Sequence, residues 1–417
     1  MNFLLYPFFY AIAYVVLTIV GYCFFGKKKS IGCILALVYA VSAFSSVYYY
    51  NTGWYSGLKL LVEPYIYLFF VTTVTIVPFF FANNLETYPV DANKKQDALI
   101  YGISIFFAVC SFWWFLEDLK IMAVYGIADI NFVANYDGTD YTGERISFLG
   151  RKFKFFAMHL KEIGTFCLFY QLTRLKKRKK LILLLVLGSL ASCLDSFMGG
   201  HRFVIVLTII NYSVYYLLFR NLLSNSVREK IKKIAIVFLV IVVLCLSAVT
   251  LARFASGKSD LDLMTWVTLY SGEGPLRFNL QAWNMPIHTE GDNTFTVIKD
   301  LLGFDAPNTF EERTIKWGGK HGLWYMVYYT AIGDVFFDFG IVGTALFSIM
   351  LALISFYLIN NYRGNAGDLL ILGLILKYIM FGFMYNPYLS YDSQIELIIA
   401  FGIGMIIRNM GRKRVHL

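Results

Sequence analysis

The chain has 417 residues, 58% of them hydrophobic and 15% charged, where a soluble domain carries about 25% charged residues. With a positive mean hydropathy, that deficit excludes an ordinary soluble domain and predicts an all-α, polytopic membrane protein. The formal charge of +10 does not point to nucleic acid. Its excess lies in short basic runs at 27–29, 174–180, 228–233 and 412–414, the mark of cytoplasmic loops.

The apolar opening continues to Phe25 without a basic leader, so it reads as a first span rather than a cleaved signal. Spans are then expected at Ile31–Tyr50, Val62–Phe81 and Ala98–Phe115. The segment Glu117–Arg151 is too polar to insert and reads as the first extracytoplasmic loop. Lys152–Leu172, Leu181–Asp195, Phe203–Phe219 and Ile234–Ala252 follow. The stretch Arg253–Asp338 is a large, late extracytoplasmic loop, and Phe339–Ile359, Leu369–Met384 and Ile395–Ile407 complete the chain. This gives about eleven spans (10–12) in a single membrane domain, with the N-terminus outside and the C-terminus inside. Every basic cluster then lies inside, and both long polar segments lie outside.

Arg202, in the string GGHRF, stands where a span begins. Paired glycines let backbone approach a bulky ligand, and a guanidinium binds phosphate in bidentate fashion. Arg253 ends the span leading into the large loop, and Arg277 follows in YSGEGPLRF. Arginine near hydrocarbon is costly without an anion, so three at one face suit a pyrophosphate; snorkelling to lipid headgroups is the competing role.

His321, in KWGGKHGLWYMVYY, has a side chain suited to taking a proton from a hydroxyl near neutral pH. Glu273, in a glycine-flanked turn, is the rival base. Asp334 and Asp338 introduce the next span, either to orient sugar hydroxyls or, by default, to cap the helix. His159, Lys161, Glu162, Lys377 and Glu396 fall within spans, and a satisfied buried pair is the simpler role for the last two. The six cysteines lie in apolar segments, which suggests neither a disulfide framework nor zinc. No nucleotide phosphate loop or metal-ligand motif occurs, so no cofactor or metal is expected.

GGHRFVIVLTII, LYSGEGPLRFN and KHGLWYMVYYTAIGDVFFDFGIVGTALF, together with the late large loop, resemble the Wzy-type oligosaccharide repeat-unit polymerases of O-antigen and capsule synthesis. They resemble the O-antigen ligases more distantly. The resemblance implies a membrane-embedded, GT-C-like, metal-independent glycosyltransferase in a bacterial cytoplasmic (inner) membrane. Its substrates would be undecaprenyl-pyrophosphate-linked oligosaccharides in the lipid bilayer, with a chain-length regulator as a further partner and no nucleic acid. Carried over residue by residue, Arg202, Arg253 and Arg277 would hold the donor pyrophosphate and His321 would be the base. A ligase-type transferase is the alternative within the same chemistry. A lipid-linked-oligosaccharide flippase or transporter is the alternative outside it.

Overall fold

The computed structural model describes residues 4–25, 30–86, 89–90, 92–125, 146–174, 178–198, 203–237, 240, 263–321 and 328–411. Among these residues every regular element is helical. The elements used below are α1 (Leu5–Phe25), α2 (Ile31–Thr52), α3 (Glu63–Ile76), α4 (Lys94–Tyr125), α5 (Phe148–His159), α6 (Lys161–Thr173), α7 (Lys179–Met198) and α8 (Phe203–Phe219). They continue with α9 (225–237), α10 (Leu263–Arg277), α11 (Thr296–Leu301), α12 (Phe310–Arg313), α13 (Gly319–His321), α14 (Ala331–Asn360), α15 (Ala366–Phe381) and α16 (Tyr391–Gly411).

Among the described residues, six helices are long and apolar enough to cross a membrane: Leu5–Phe25, Ile31–Thr52, Glu63–Ala82, Lys94–Val124, Ala331–Asn360 and Tyr391–Gly411. The expected span Lys152–Leu172 is instead two short helices broken at Leu160, whose φ of −107° and ψ of 6° are not helical. Most of the expected span at 234–252 lies outside the described residues. Helix α4 runs on to Tyr125, so the first residues of the expected loop at Glu117–Arg151 are helical. A helix can continue where its sequence stops being apolar, provided neighbours cover its polar groups.

The chain divides into two compact units. The first comprises Met1–Thr87, Ser259–Tyr362 and Ile375–Leu397. Its centre is α2, where the small residues Ser42 and Ser46, one helical turn apart, are both buried. Small residues at such spacing let a second backbone approach closely where lipid gives helices no hydrophobic reason to associate. Helix α10 uses that face, running antiparallel to α2: Thr265 meets Thr52, and Ser271 meets Ser42.

At Gly272 even a methyl group would overlap the backbone of Ser45 and Ser46. Pro275 lies inside α10 and has no N–H to give to the carbonyl of Ser271. That carbonyl accepts from the Ser42 hydroxyl at 2.6 Å, and the Gly272 carbonyl accepts from Ser46 at 2.6 Å. Gly272→Ala should therefore destabilise the protein by about 1–3 kcal/mol, because two backbones rather than a flexible side chain must move apart. Thermal unfolding in detergent measures it, and a wild-type midpoint would contradict this account of the crossing.

The end of α2 away from the crossing packs on α1 through tyrosines. Tyr14 stacks on Tyr39 at 5.4 Å, and Tyr10 meets Tyr65 at 5.2 Å. The Tyr39 hydroxyl donates to the Ile379 carbonyl at 2.9 Å.

Helix α14 is kinked at Gly340, where φ is 60° and ψ −161°. Such a conformation belongs almost wholly to glycine, and a Cβ there would also strike the His288 ring. The kink separates two environments. Ala331–Asp338 are buried throughout, whereas Ile341, Val342 and Leu346 are exposed.

The second unit comprises Tyr88–Lys258, Arg363–Leu374 and Ile398–Leu417. In it α4 packs on α7, with Phe107, Leu168 and Leu185 in one core cluster and Cys110, Trp114, Ala157 and Ala191 in another. Lys154 and Asp195 pair at 2.7 Å, and Arg174 and Asp97 at 3.2 Å.

Candidate functional site

Glu273 is buried because its neighbours are glycines. Gly272 seats α10 against α2, while a Cβ at Gly274 would come to 2.9 Å from the Phe383 carbonyl and 3.2 Å from the Thr330 nitrogen. Two missing side chains thus let one helix lie between two others and carry a carboxylate with it. The sequence reading made this stretch a turn. It is the last turn and a half of α10, followed by the π-helical turn Phe278–Ala282. The glycines here serve close packing rather than chain reversal.

Arg277, one helical turn after Glu273, places Nη2 2.8 Å from Glu273 Oε1, and both side chains are largely buried. Tyr55 donates to the same oxygen at 3.0 Å and lies under the guanidinium, 5.6 Å from its ring centre. Arg277 Nη1 donates to Gln281 Oε1 at 3.3 Å, and the Tyr329 hydroxyl donates to that oxygen at 2.9 Å. Tyr49 packs edge-on against Tyr55 at 5.7 Å. A row of rings, Tyr270–Tyr328–Tyr385 at 6.1 and 5.7 Å, leads from an exposed position to buried surroundings. Asn279 completes the frame: its amide nitrogen donates to the Leu61 carbonyl and its oxygen accepts from the Leu61 nitrogen, at 2.7 and 3.0 Å.

Burial would by itself lower the Arg277 pKa, but the adjoining Glu273 carboxylate outweighs it and the guanidinium stays charged. Burial above all pushes the Tyr328 and Tyr329 phenols up to about 12. They are neutral hydrogen-bond donors at any physiological pH. Two polar atoms of the site are buried and make no hydrogen bond among the described residues: Arg277 Nε and the Tyr49 hydroxyl. A buried donor without a partner calls for an explanation, an ordered water, an ion or a ligand among them.

Asp334 and Asp338 stand apart from the helix cap expected of them. The cap of α14 is Thr330, whose hydroxyl accepts from the Gly333 nitrogen at 3.0 Å. Both carboxylates lie inside the unit and bind it together. Asp338 accepts from the Thr289 hydroxyl at 2.5 Å and from the Asn293 and Thr294 nitrogens at 3.0 and 2.6 Å. Asp334 accepts from the Asn386 nitrogen at 2.7 Å. Asp292 anchors the other side of this segment through Lys299, Lys316 and Trp317 Nε1. Burial alone would raise its pKa, but those three donors hold it below the usual carboxylate value.

Arg202 and Arg253 lie outside the described residues, as does the side chain of His321, whose backbone is in α13. Lys377 and Glu396 are both buried, with the Lys377 ammonium 5.1 Å from the Tyr388 ring centre. His159 gives its Nδ1 to the Phe155 carbonyl at 2.8 Å. Sequence reasoning missed Gln281, and it missed Tyr49, Tyr55 and Tyr329, which stand among 30 tyrosines with nothing local to distinguish them. It also missed Asp118 in the second unit, fully buried, with neither carboxylate oxygen hydrogen-bonded among the described residues. Among those residues no group of His, Cys, Asp and Glu is arranged to hold a metal ion.

The chain is therefore a helical membrane protein whose first unit encloses a Glu–Arg pair within a layer of tyrosines. Comparisons with protein-family models, with curated proteins and with solved structures matched nothing.

Proposed function

We propose that this protein is a membrane glycosyltransferase. It transfers a growing glycan from undecaprenyl pyrophosphate to a lipid-linked repeat unit at the outer face of a bacterial cytoplasmic membrane, as the Wzy-type resemblance implies. One observation carries the reading: Glu273 and Arg277, both nominated on sequence grounds, share one buried site with unsatisfied donors. A pyrophosphate supplies the acceptors that Arg277 Nε and the Tyr49 hydroxyl lack. As Arg277 turns to the phosphate, Glu273 keeps only Tyr55 and has an oxygen free to take the acceptor hydroxyl's proton. The departing pyrophosphate gains charge as the glycosidic bond breaks. A preorganised guanidinium in a water-poor site favours that charge in the transition state over the ground state. Arg202 and Arg253 remain the further pyrophosphate ligands, and His321 the other candidate base.

A ligase-type transfer would use the same site with a different acceptor. Asp118 gives the transporter reading an observation of its own, because a buried intramembrane carboxylate with only the Lys154 charge to offset it suits a coupling site. One assay separates the three. Purified protein in vesicles, supplied with undecaprenyl-pyrophosphate-linked oligosaccharide, should release undecaprenyl pyrophosphate and lengthen the glycan. Transfer to an unrelated acceptor alone would favour the ligase. Movement of intact substrate across the vesicle wall without any bond change would overturn the enzyme reading.

A further inference from the structure

The segment between α10 and α14 is polar in sequence, yet it exposes several large apolar side chains. Leu301 is 76% exposed, Leu302 68%, Phe304 60% and Ile315 76%, with Ile298 beside them. These residues do not belong to a slack loop. The Val297 nitrogen donates to Gln394 Oε1 at 3.1 Å, Gln394 Nε2 donates to the Asn293 carbonyl at 2.8 Å, and the Thr296 hydroxyl donates to the Asp292 carbonyl at 2.6 Å. The Tyr391 hydroxyl donates to Asp300 at 2.6 Å. The backbone is thus held down on the first turn of α16 while its apolar side chains point away.

We infer that this tip, Ile298–Phe304 with Ile315, is seated in the lipid of the bilayer interface. Three observations select lipid as the occupant. First, the tip continues an apolar surface already assigned to the membrane. Phe295 meets Phe339 at 5.8 Å, and directly after Gly340 helix α14 exposes Ile341 and Val342. Second, its height is fixed. From Ile341 to the end of α14 at Asn360 is about 30 Å of helix, the thickness of the hydrocarbon core. Gly340 therefore marks the core's edge, and the tip is tied to α14 just beyond it through Asp338. Third, its polar companions are those of an interface. Tyr391 stands at the start of α16, and the exposed Lys320 ammonium lies 4.7 Å from the ring centre of the buried Trp317. The segment that sequence alone reads as an aqueous loop is thereby a membrane-surface element, positioned to meet a substrate that arrives in the lipid. The inference rests on the membrane spans and not on the reaction proposed above.

The test uses the full chain in phosphatidylcholine vesicles with its six native cysteines replaced. A nitroxide is attached in turn at Leu301→Cys, Leu302→Cys and Phe304→Cys, with Asp305→Cys as control, since the Asp305 side chain is 93% exposed. Relaxation by oxygen, which concentrates in lipid, should exceed relaxation by an aqueous nickel chelate several-fold at the first three sites and not at the control. Nickel dominating at all four would overturn the inference by placing the tip in water. Low access to both reagents would overturn it in favour of a protein cover, such as a second copy. As an independent measurement, the unmodified protein in vesicles doped with a diazirine-bearing phospholipid should carry adducts on residues 298–304. Adducts confined to 341–350 would count against the inference.

Discussion

Arg277→Ala should abolish glycan elongation and destabilise the protein by about 3–5 kcal/mol, the range for removing one partner of a buried ion pair. Glu273 is 3% exposed, and without the guanidinium its carboxylate keeps only the Tyr55 hydroxyl against burial. The two consequences need separating, and Arg277→Lys separates them. An ammonium restores the charge beside Glu273, so folding should be largely retained. It lacks the planar fork that reaches Glu273 and Gln281 together, and it lacks the orphaned Nε. Turnover should then fall by about 100-fold, the scale on which single preorganised donors act, with a melting midpoint near wild type. Glu273→Gln combined with Arg277→Ala should be less destabilised than the sum of the single variants, because the pair is removed as a unit. A folded Arg277→Lys protein with full turnover would remove Arg277 from the site.

Asp338→Ala is the second large effect. One carboxylate, 3% exposed, receives the Thr289 hydroxyl and two backbone N–H groups. Alanine leaves those donors buried without an acceptor, at roughly 1–3 kcal/mol each, and about 3 kcal/mol is expected in total after relaxation. The loss should be local before it is global. Amide exchange across 289–297 should accelerate well beyond that of α2, since Asp338 makes three of the hydrogen bonds that tie this stretch to α14. Its loss leaves the Thr289 nitrogen on the Phe337 carbonyl and the Asn293 amide on the Asp334 carbonyl. Asp305→Ala, at a fully solvated position, should stay within about 0.5 kcal/mol. Unchanged exchange at 289–297 in Asp338→Ala would show that Asp292 and Gln394 suffice to hold the segment.

The membrane helices were legible because their signal is additive. Apolar runs such as Leu5–Phe25 and Ile31–Thr52 announce themselves whatever they pack against. The ends of α8, at Phe203 and Phe219, coincide with the predicted span for the same reason. Where polar residues interrupt an apolar run, composition and structure part. The helix break at Leu160 and the continuation of α4 past Glu117 depend on neighbours that cover buried polar groups, which no window of sequence contains.

The site was half legible. A glycine–glutamate–glycine–proline string followed by arginine is rare enough in an apolar chain to nominate Glu273 and Arg277. It reads as a turn, because glycine and proline break isolated helices. The string folds as helix because Ser42 and Ser46, more than 220 residues away in sequence, accept the crossing and satisfy its carbonyls.

The sequence by itself thus determined the membrane class and the longest spans and nominated Glu273 and Arg277, since these rest on composition and on neighbours a few positions apart. Only the tertiary structure decided that Arg277 meets Glu273 beneath Tyr55, that Asp334 and Asp338 bind the fold internally, and that the polar segment bears an apolar tip. Each of those depends on which distant side chain fills the space left by a glycine or answers a buried charge, and that is settled by packing.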